Sequence, residues 1–455
     1  MKGKPYGDRA VQILSRYLTD FSEEELRECV SAAYSKEKFG GFAAPLHLLK
    51  KDTDILELWH GPTSAFKDMA LQILPHFLTR AVRKTGEQKK SVILVATSGD
   101  TGKAAMAGFS DVPDTEVIVF YPHGGVSDAQ RLQMTTQRGN NVHAVAVEGN
   151  FDDAQTGVKL LFGKAELAAE LKEQGCAFSS ANSINWGRLV PQIVYYFSAY
   201  ADAVEKGRIQ NGTEIVFSVP TGNFGDILAG YYAKLMGLPV KKFICASNSN
   251  NVLTDFINTG TYDRNREFHR TISPSMDILV SSNLERLLYE KTEHNSEKIN
   301  EWMDALQEKG TYSIGRDIQD AVVSDFFGAW IDEIETQETI SDVFNNYGYV
   351  LDPHSAVAYK ALQKYRLMTS DETYGIVLST ASPFKFSDVV LRALYPDDYE
   401  GKVLTAFEAM DELSQKARID IPQGLKELRG LPERESDIVA PGEMEKEVKK
   451  ILAID

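Results

Sequence analysis

The sequence predicts an α/β protein of two parallel-sheet units, with a helical N-terminal segment and a helical insertion. Two observations carry this. Short, continuous apolar runs recur along the chain, each followed by a helical stretch, which is the pattern of strands covered on both faces. Several of those runs also end in turns of Gly, Ser and Thr that open directly into a helix.

The elements follow in order. Residues 1–50 read as helical, with Ser22 as the N-cap of EEELRECVSAAY and a stop near Gly40-Gly41. The segment LELWHGPTSAFKDMAL (56–71) places a turn and a lysine between apolar residues. SVILVAT (91–97) is a strand that runs into the small-residue helix GKAAMAGF. VIVFY (117–121) and VHAVAV (142–147) are two more strands, followed by a helix through SDAQRLQMTTQ and an amphipathic stretch from 152 to 171. Leu189 to Val204 reads as a buried helix. EIVFSV (214–219) and KFICAS (242–247) resume the strand pattern. Charged helical sequence then fills about 264–340, before a helix from His354 to Tyr365, the strand GIVLST (375–380) and a helix from Ser387 to Leu394. This gives three expected parts: residues 1–89, a smaller α/β unit over 90–200, and a large unit over 201–455 that includes the insertion and a charged tail.

Composition removes whole classes of function. Lys and Arg number 49 against 65 Asp and Glu, a formal charge of −16. Such a surface repels phosphate backbones and anionic lipids, so neither a nucleic acid nor a membrane is an expected partner. No apolar run reaches the ~20 residues of a spanning helix. The three cysteines form no CxxC pair, so a zinc ribbon is unsupported and no metal is expected. With no apolar leader at the N-terminus, they point to a reducing, cytoplasmic setting.

Four segments can carry chemistry. Lys67 stands among apolar neighbours, where desolvation favours the neutral amine that Schiff-base chemistry needs. Its plain alternative is a surface lysine that snorkels. ATSGDTGKAA (96–105) and VPTGNFGDI (219–227) both join a strand to a helix through small residues, so backbone amides and the helix dipole can meet an anion there. Neither is a Walker or dinucleotide motif. GIVLSTASPFKF (375–386) ends a buried strand in hydroxyls, one of which can face a ring nitrogen. A reactive lysine with two anion-competent loops is what pyridoxal phosphate requires.

HGPTSAFKD, ATSGDTG, SANSINWGR, PTGNFGD, SPSMDILVSSNLERLLYE and LDPHSAVAY, in this order, closely resemble threonine synthase of the long-chain bacterial and fungal branch. The resemblance runs from about residue 5 to residue 390. It implies a fold-type-II pyridoxal-phosphate enzyme, a lyase that performs the last step of threonine biosynthesis. O-phospho-L-homoserine and water would give L-threonine and phosphate, by loss of phosphate from Cγ and hydration at Cβ. The alternative on the same scaffold is a phospho-lyase that yields 2-oxobutyrate, ammonia and phosphate.

By the same resemblance, Lys67 is the Schiff-base lysine and proton shuttle. Gly222, Asn223, Phe224, Gly225 and Asp226 form the cup for the cofactor phosphate. Thr380 faces the pyridine nitrogen. Ser98, Gly99, Asp100 and Thr101 lie near the substrate carboxylate and the cofactor's ring hydroxyl, with the atom that Asp100 faces left open. The substrate phosphate needs a cation despite the acidic balance. Arg188 is the first choice, since a guanidinium matches phosphate with two donors, with Ser183 and Asn185 completing the contact and Lys385 as a second candidate. His60 and His354 are assigned no proton, and Asp277 and Arg286 are expected to shape the site or a hinge. The NSNNV run (248–252) departs from the family's usual pattern, so nothing is carried over to Asn248 or Asn251. The resemblance also suggests that the smaller unit moves. Oligomeric state is left open.

Overall fold

A computed structural model describes residues 1–87, 89–434 and 437–454. Two sheets organise it. The larger has six strands in the order Leu46–Lys50, Thr53–Glu57, Gly375–Ser379, Ile215–Pro220, Val240–Ser247 and Phe326–Trp330. Its first two strands pair antiparallel and all other neighbours are parallel. The smaller sheet is wholly parallel, in the order Ile438–Val439, Val142–Val147, Thr115–Pro122, Lys90–Ala96 and Cys176–Ser180.

Alternation along single strands explains why both sheets are covered on two faces. Ile215, Phe217 and Val219 enter one core while Val216 enters the core on the opposite face. In the smaller sheet Val92 and Leu94 face one core, Ile93 and Val95 the other. Each of these side chains is fully buried or nearly so. Burial of each is worth about 1.5–3 kcal/mol, so continuous apolar runs hold helices on both sides.

Ser22 caps the helix Glu23–Ala33 as expected: its hydroxyl accepts from the Glu25 amide at 3.2 Å, and Glu25 accepts from the Ser22 amide at 2.7 Å. Four other features differ from the sequence reading. Leu46–Lys50, inside a segment read as helical, and the adjacent Thr53–Glu57 form a hairpin at the edge of the large sheet. Cys176–Ser180 is a strand although its Ser and Ala content gives no apolar run. Phe326–Trp330 is a large-sheet strand inside the stretch read as purely helical. The tail, grouped by sequence with the large unit, returns to the smaller sheet. Its strand Ile438–Val439 pairs with Ala146 and Val147, and Met444 and Val448 enter that unit's core. A two-residue strand carries too little periodicity to read, and long-range pairing alone decides which sheet receives it.

The helix Trp186–Glu205 packs its buried tyrosines into the large core, so apart from the returning tail the smaller unit's elements end before it. The units touch closely beside Lys67: a Cβ on Gly108 would lie 2.1 Å from the Leu71 carbonyl oxygen. No described helix is long and apolar enough to cross a membrane.

Candidate active site

The carboxyl ends of four parallel strands converge on one cavity. Ala96 leads into Thr97–Asp100, Ser180 into Ala181–Asn185, Pro220 into Thr221–Gly225, and Ser379 into Thr380. Crevices outside such strand ends are where open α/β sheets bind ligands. The cavity measures about 450 Å³, and Lys67, Ser98, Thr101, Ser183, Arg188, Thr380 and residues 222–226 all line it.

Lys67 precedes the short helix Asp68–Leu71. Its position is fixed by main-chain contacts of the two residues before it: the Phe66 amide donates to the Thr380 carbonyl at 2.8 Å, and Ala65 bridges Ala381. The Lys67 side chain is 13% exposed, its Nζ 4.0 Å from Asp100 Oδ2 and 4.9 Å from the Phe66 ring centre. Burial lowers its pKa to about 8; Arg188 and Lys385 add to the lowering, while Asp100 opposes it. At pH 7 about a tenth is therefore the free amine, far more than in an ordinary lysine.

The loop after Pro220 is shaped for an anion. Phe224 takes φ 61° and begins the helix Gly225–Leu235. The Gly222 and Asn223 carbonyls are held by Ser281 Oγ at 2.8 Å and Asn283 Nδ2 at 3.0 Å. The amides of Asn223, Phe224, Gly225 and Asp226 find no acceptor among the described residues. Gly222 is required by space, since a Cβ there would meet the Ser275 carbonyl oxygen at 2.9 Å. Asp226 is the one acidic side chain in the loop. Its Oδ1 accepts from Tyr195 at 2.6 Å and Tyr196 at 2.8 Å, while Oδ2 is buried without a partner. Burial raises its pKa to about 6, against the hydrogen bonds of both tyrosines.

The loop after Ala96 is closed by its own side chains. Thr97 Oγ1 accepts from the amides of Gly99 at 3.0 Å and Gly102 at 2.9 Å. Gly99 has φ 132°, and a Cβ there would strike the Gln130 side chain at 2.4 Å, so only glycine fits. Asp100 is buried; Gln130 Nε2 donates to its Oδ1 at 2.9 Å and Lys385 Nζ lies 2.6 Å from the same atom. Burial alone would raise the Asp100 pKa, but Lys385 and Lys67 overcome it and hold the carboxyl well below its ordinary range.

Arg188 is 3% exposed and reaches the cavity from the first turn of Trp186–Glu205. One Nη1–H goes to the Ala181 carbonyl at 2.7 Å, and Nε is buried without a partner. Burial lowers its pKa to about 10, which leaves it charged.

Two residues read as phosphate ligands are spent elsewhere. Asn185 caps its helix: its side chain accepts from the Gly187 amide at 2.9 Å and donates to the Ser180 carbonyl at 2.7 Å. It does not line the cavity, because the residue before a helix needs its side chain for the orphan amides. Lys385 lies behind the wall, fully buried between Asp100 and the Thr63 carbonyl at 3.1 Å.

Other residues complete the wall. His354 accepts from the Ser275 amide at Nε2 (3.1 Å), so Nδ1 carries the proton toward Asp352 Oδ1 at 2.8 Å. Asp277 Oδ1 takes hydrogen bonds from Asn248, Asn250 and Thr271. Arg286 donates to the Ile184 carbonyl at 2.6 Å and so joins the 281–286 segment to the small-unit side. Gln155 and Lys159 reach the cavity from the helix Phe151–Gly163. The sequence shows that helix only as an amphipathic stretch, which does not say what its polar face meets. Among the described residues no His, Cys, Asp and Glu cluster could hold a metal.

Fold and cavity together define an enzyme class, and the comparisons agree. The family described as pyridoxal-phosphate dependent enzyme matches residues 55–316, and the one described as threonine synthase, C-terminal matches residues 355–451. Threonine synthase of Pseudomonas aeruginosa is 39% identical over 86% of this chain and 80% of its own length. The crystal structure of pyridoxal-phosphate-bound threonine synthase from Brucella melitensis superposes with a TM-score of 0.85 at 34% identity, over 99% of this chain and 89% of that one. The chain belongs to the threonine synthase family of pyridoxal-phosphate-dependent enzymes. Human threonine synthase-like 1 is 41% identical over 86% of this chain, but the chain spans only about half (53%) of that relative's length.

The residues present fit this cofactor. A partly neutral buried lysine, four unpaired amides at a helix start and a glycine whose Cβ space is taken by backbone are the features that an aldehyde and a phosphate need.

Proposed function

We propose that this chain is a threonine synthase, converting O-phospho-L-homoserine and water to L-threonine and phosphate. The observation that carries the reading is one cavity lined by Lys67, by the unpaired amides of 223–226 and by the buried guanidinium of Arg188. The amides of 223–226 suit the cofactor phosphate, and Arg188 suits the substrate phosphate. The family's other reactions without a phosphorylated substrate leave the second site without a use.

Pyridoxal phosphate, when bound, supplies an aldehyde for the substrate amine and a ring that delocalises the electron pair left at Cα. Lys67 would hold the cofactor's aldehyde, and its Nζ would be the group that moves protons at the substrate Cα and Cβ. An amine with a pKa of about 8 both accepts and returns a proton near neutrality. Thr380, just past the end of its strand, would be the hydroxyl that meets the ring nitrogen. A hydroxyl there holds the ring less firmly protonated than a carboxylate does. Ser98 and Thr101 present the substrate carboxylate with hydroxyls at a helix start, whereas Gly99, expected beside them, gives its amide to Thr97 and does not line the cavity. Arg188 and Ser183 hold the leaving phosphate, and burial keeps bulk water from screening that contact. Unpaired Cys29, Cys176 and Cys245 support a cytoplasmic setting.

The test is a product balance with pyridoxal phosphate and O-phospho-L-homoserine. Threonine equal to phosphate supports the synthase. Phosphate with 2-oxobutyrate and ammonia makes the chain a phospho-lyase, and no phosphate removes the substrate assignment. Arg188→Lys should raise KM for the phosphorylated substrate by roughly tenfold or more, since one point charge replaces a two-donor fork.

A further inference from the structure

Lys385 has no contact with the cavity, yet it holds the residues that flank Lys67. Its side chain is 0% exposed, and its Nζ lies 2.6 Å from Asp100 Oδ1 and 3.1 Å from the Thr63 carbonyl. Asp100 Oδ2, the other oxygen of that carboxylate, is 4.0 Å from Lys67 Nζ. Thr63 in turn donates its amide (2.7 Å) and hydroxyl (2.9 Å) to Asp68, the residue next to Lys67. One partner of Lys385 thus lies beside the Lys67 amine, and the other holds the residue that follows Lys67. A buried ammonium persists only with a partner of this kind, and a buried carboxylate likewise.

We propose that Lys385 is a positioning residue: it holds Asp100 by Oδ1, so that this carboxylate is not left to pair with Lys67 alone and the Lys67 amine stays easily freed of its proton. The proposal rests on Lys67 being the reactive amine. The groups facing Lys67 divide clearly: Asp100 and Asp226 favour the ammonium, while Arg188 and Lys385 disfavour it. Asp100 itself faces Lys385, Lys67, Gln130 and Ser275 Oγ. Lys103, on the helix Asp100–Phe109, faces Asp68 and Lys385 and donates to Gln137. Without Lys385, a repelling cation is gone and Asp100 is left to pair with Lys67 alone. Both changes strengthen the hold of Lys67 on its proton.

The experiment is competitive acetylation of the full chain with acetic anhydride across neutral to alkaline pH, with modification of Lys67 read by peptide mass spectrometry. It needs neither cofactor nor turnover, so its result is separate from that of the product balance. Lys385→Met should move the Lys67 midpoint up by about one pH unit, and so slow its modification about tenfold near neutrality. Lys385→Arg should leave it near the wild-type value, and Asp100→Asn should move it down. An unchanged midpoint in folded Lys385→Met overturns the proposal. If that variant does not fold, Asp100→Asn is compared with the double variant Lys385→Met/Asp100→Asn. Matching midpoints support action through Asp100; a difference of about a full unit overturns it.

Discussion

Two loops with the same sequence logic line one cavity, and they have opposite interiors. Thr97–Asp100 and Thr221–Gly225 each leave a parallel strand, use glycine and start a helix. In the first, Thr97 takes the Gly99 and Gly102 amides, and a buried carboxylate bound by Gln130 and Lys385 fills the turn. In the second, the carbonyls are held by Ser281 and Asn283 and the amides are left over. A small-residue turn at a strand end therefore says where a ligand sits, but not which loop offers its backbone. That depends on whether the neighbours supply acceptors or donors.

The contrast can be broken most severely at Gly222. Gly222→Val drives a side chain into the Ser275 carbonyl, and backbone must shift. Overpacking of this kind costs about 1–3 kcal/mol, so affinity for pyridoxal phosphate should fall roughly ten- to hundredfold in a fluorescence titration. Thr97→Val should do the reverse, with the fold weakened by about 1–3 kcal/mol in urea unfolding, as two buried amides lose their acceptor, and cofactor affinity nearly kept. Equal loss of affinity in both variants would erase the distinction between the loops.

A pH test follows from Asp226. Its folded pKa, about 6, lies above the unfolded value, so the folded state binds the extra proton. The stabilisation is present below the unfolded carboxylate range and is lost as pH rises through about 6. Asp226→Asn should therefore raise Tm at neutral pH and change it little in mild acid; a rise of the same size at both would count against this assignment.

The smallest expected effect concerns the helix that carries Arg188. Asn185→Ala removes a cap worth about 1 kcal/mol. Tm should drop by a few degrees or less while KM for the phosphorylated substrate stays within about twofold. A tenfold rise in KM would return Asn185 to the substrate.

The sequence carried much of the site because strand ends are local events. SVILVAT, EIVFSV and GIVLST announce buried strands, and their following loops hold Ser98, Thr101, Gly222, Phe224, Gly225 and Thr380, all of which meet one cavity. It failed where a side chain's task is set by a distant partner. Lys385 and Asn185 are polar residues inside family-like motifs, yet one neutralises Asp100 and the other caps a helix. Gln155 and Lys159 reach the cavity only because their helix lies over the smaller sheet.

What the sequence determined by itself was the α/β class, the family, a lysine among apolar neighbours and the small-residue turns at strand ends, since periodicity, glycine spacing and burial pattern are properties of neighbouring residues. Only the tertiary structure decided that the tail joins the smaller sheet, that Phe326–Trp330 joins the larger one, and which loop leaves its amides free. The reason is physical: a buried polar group must be paired, and its partner can come from any part of the chain that packing brings near.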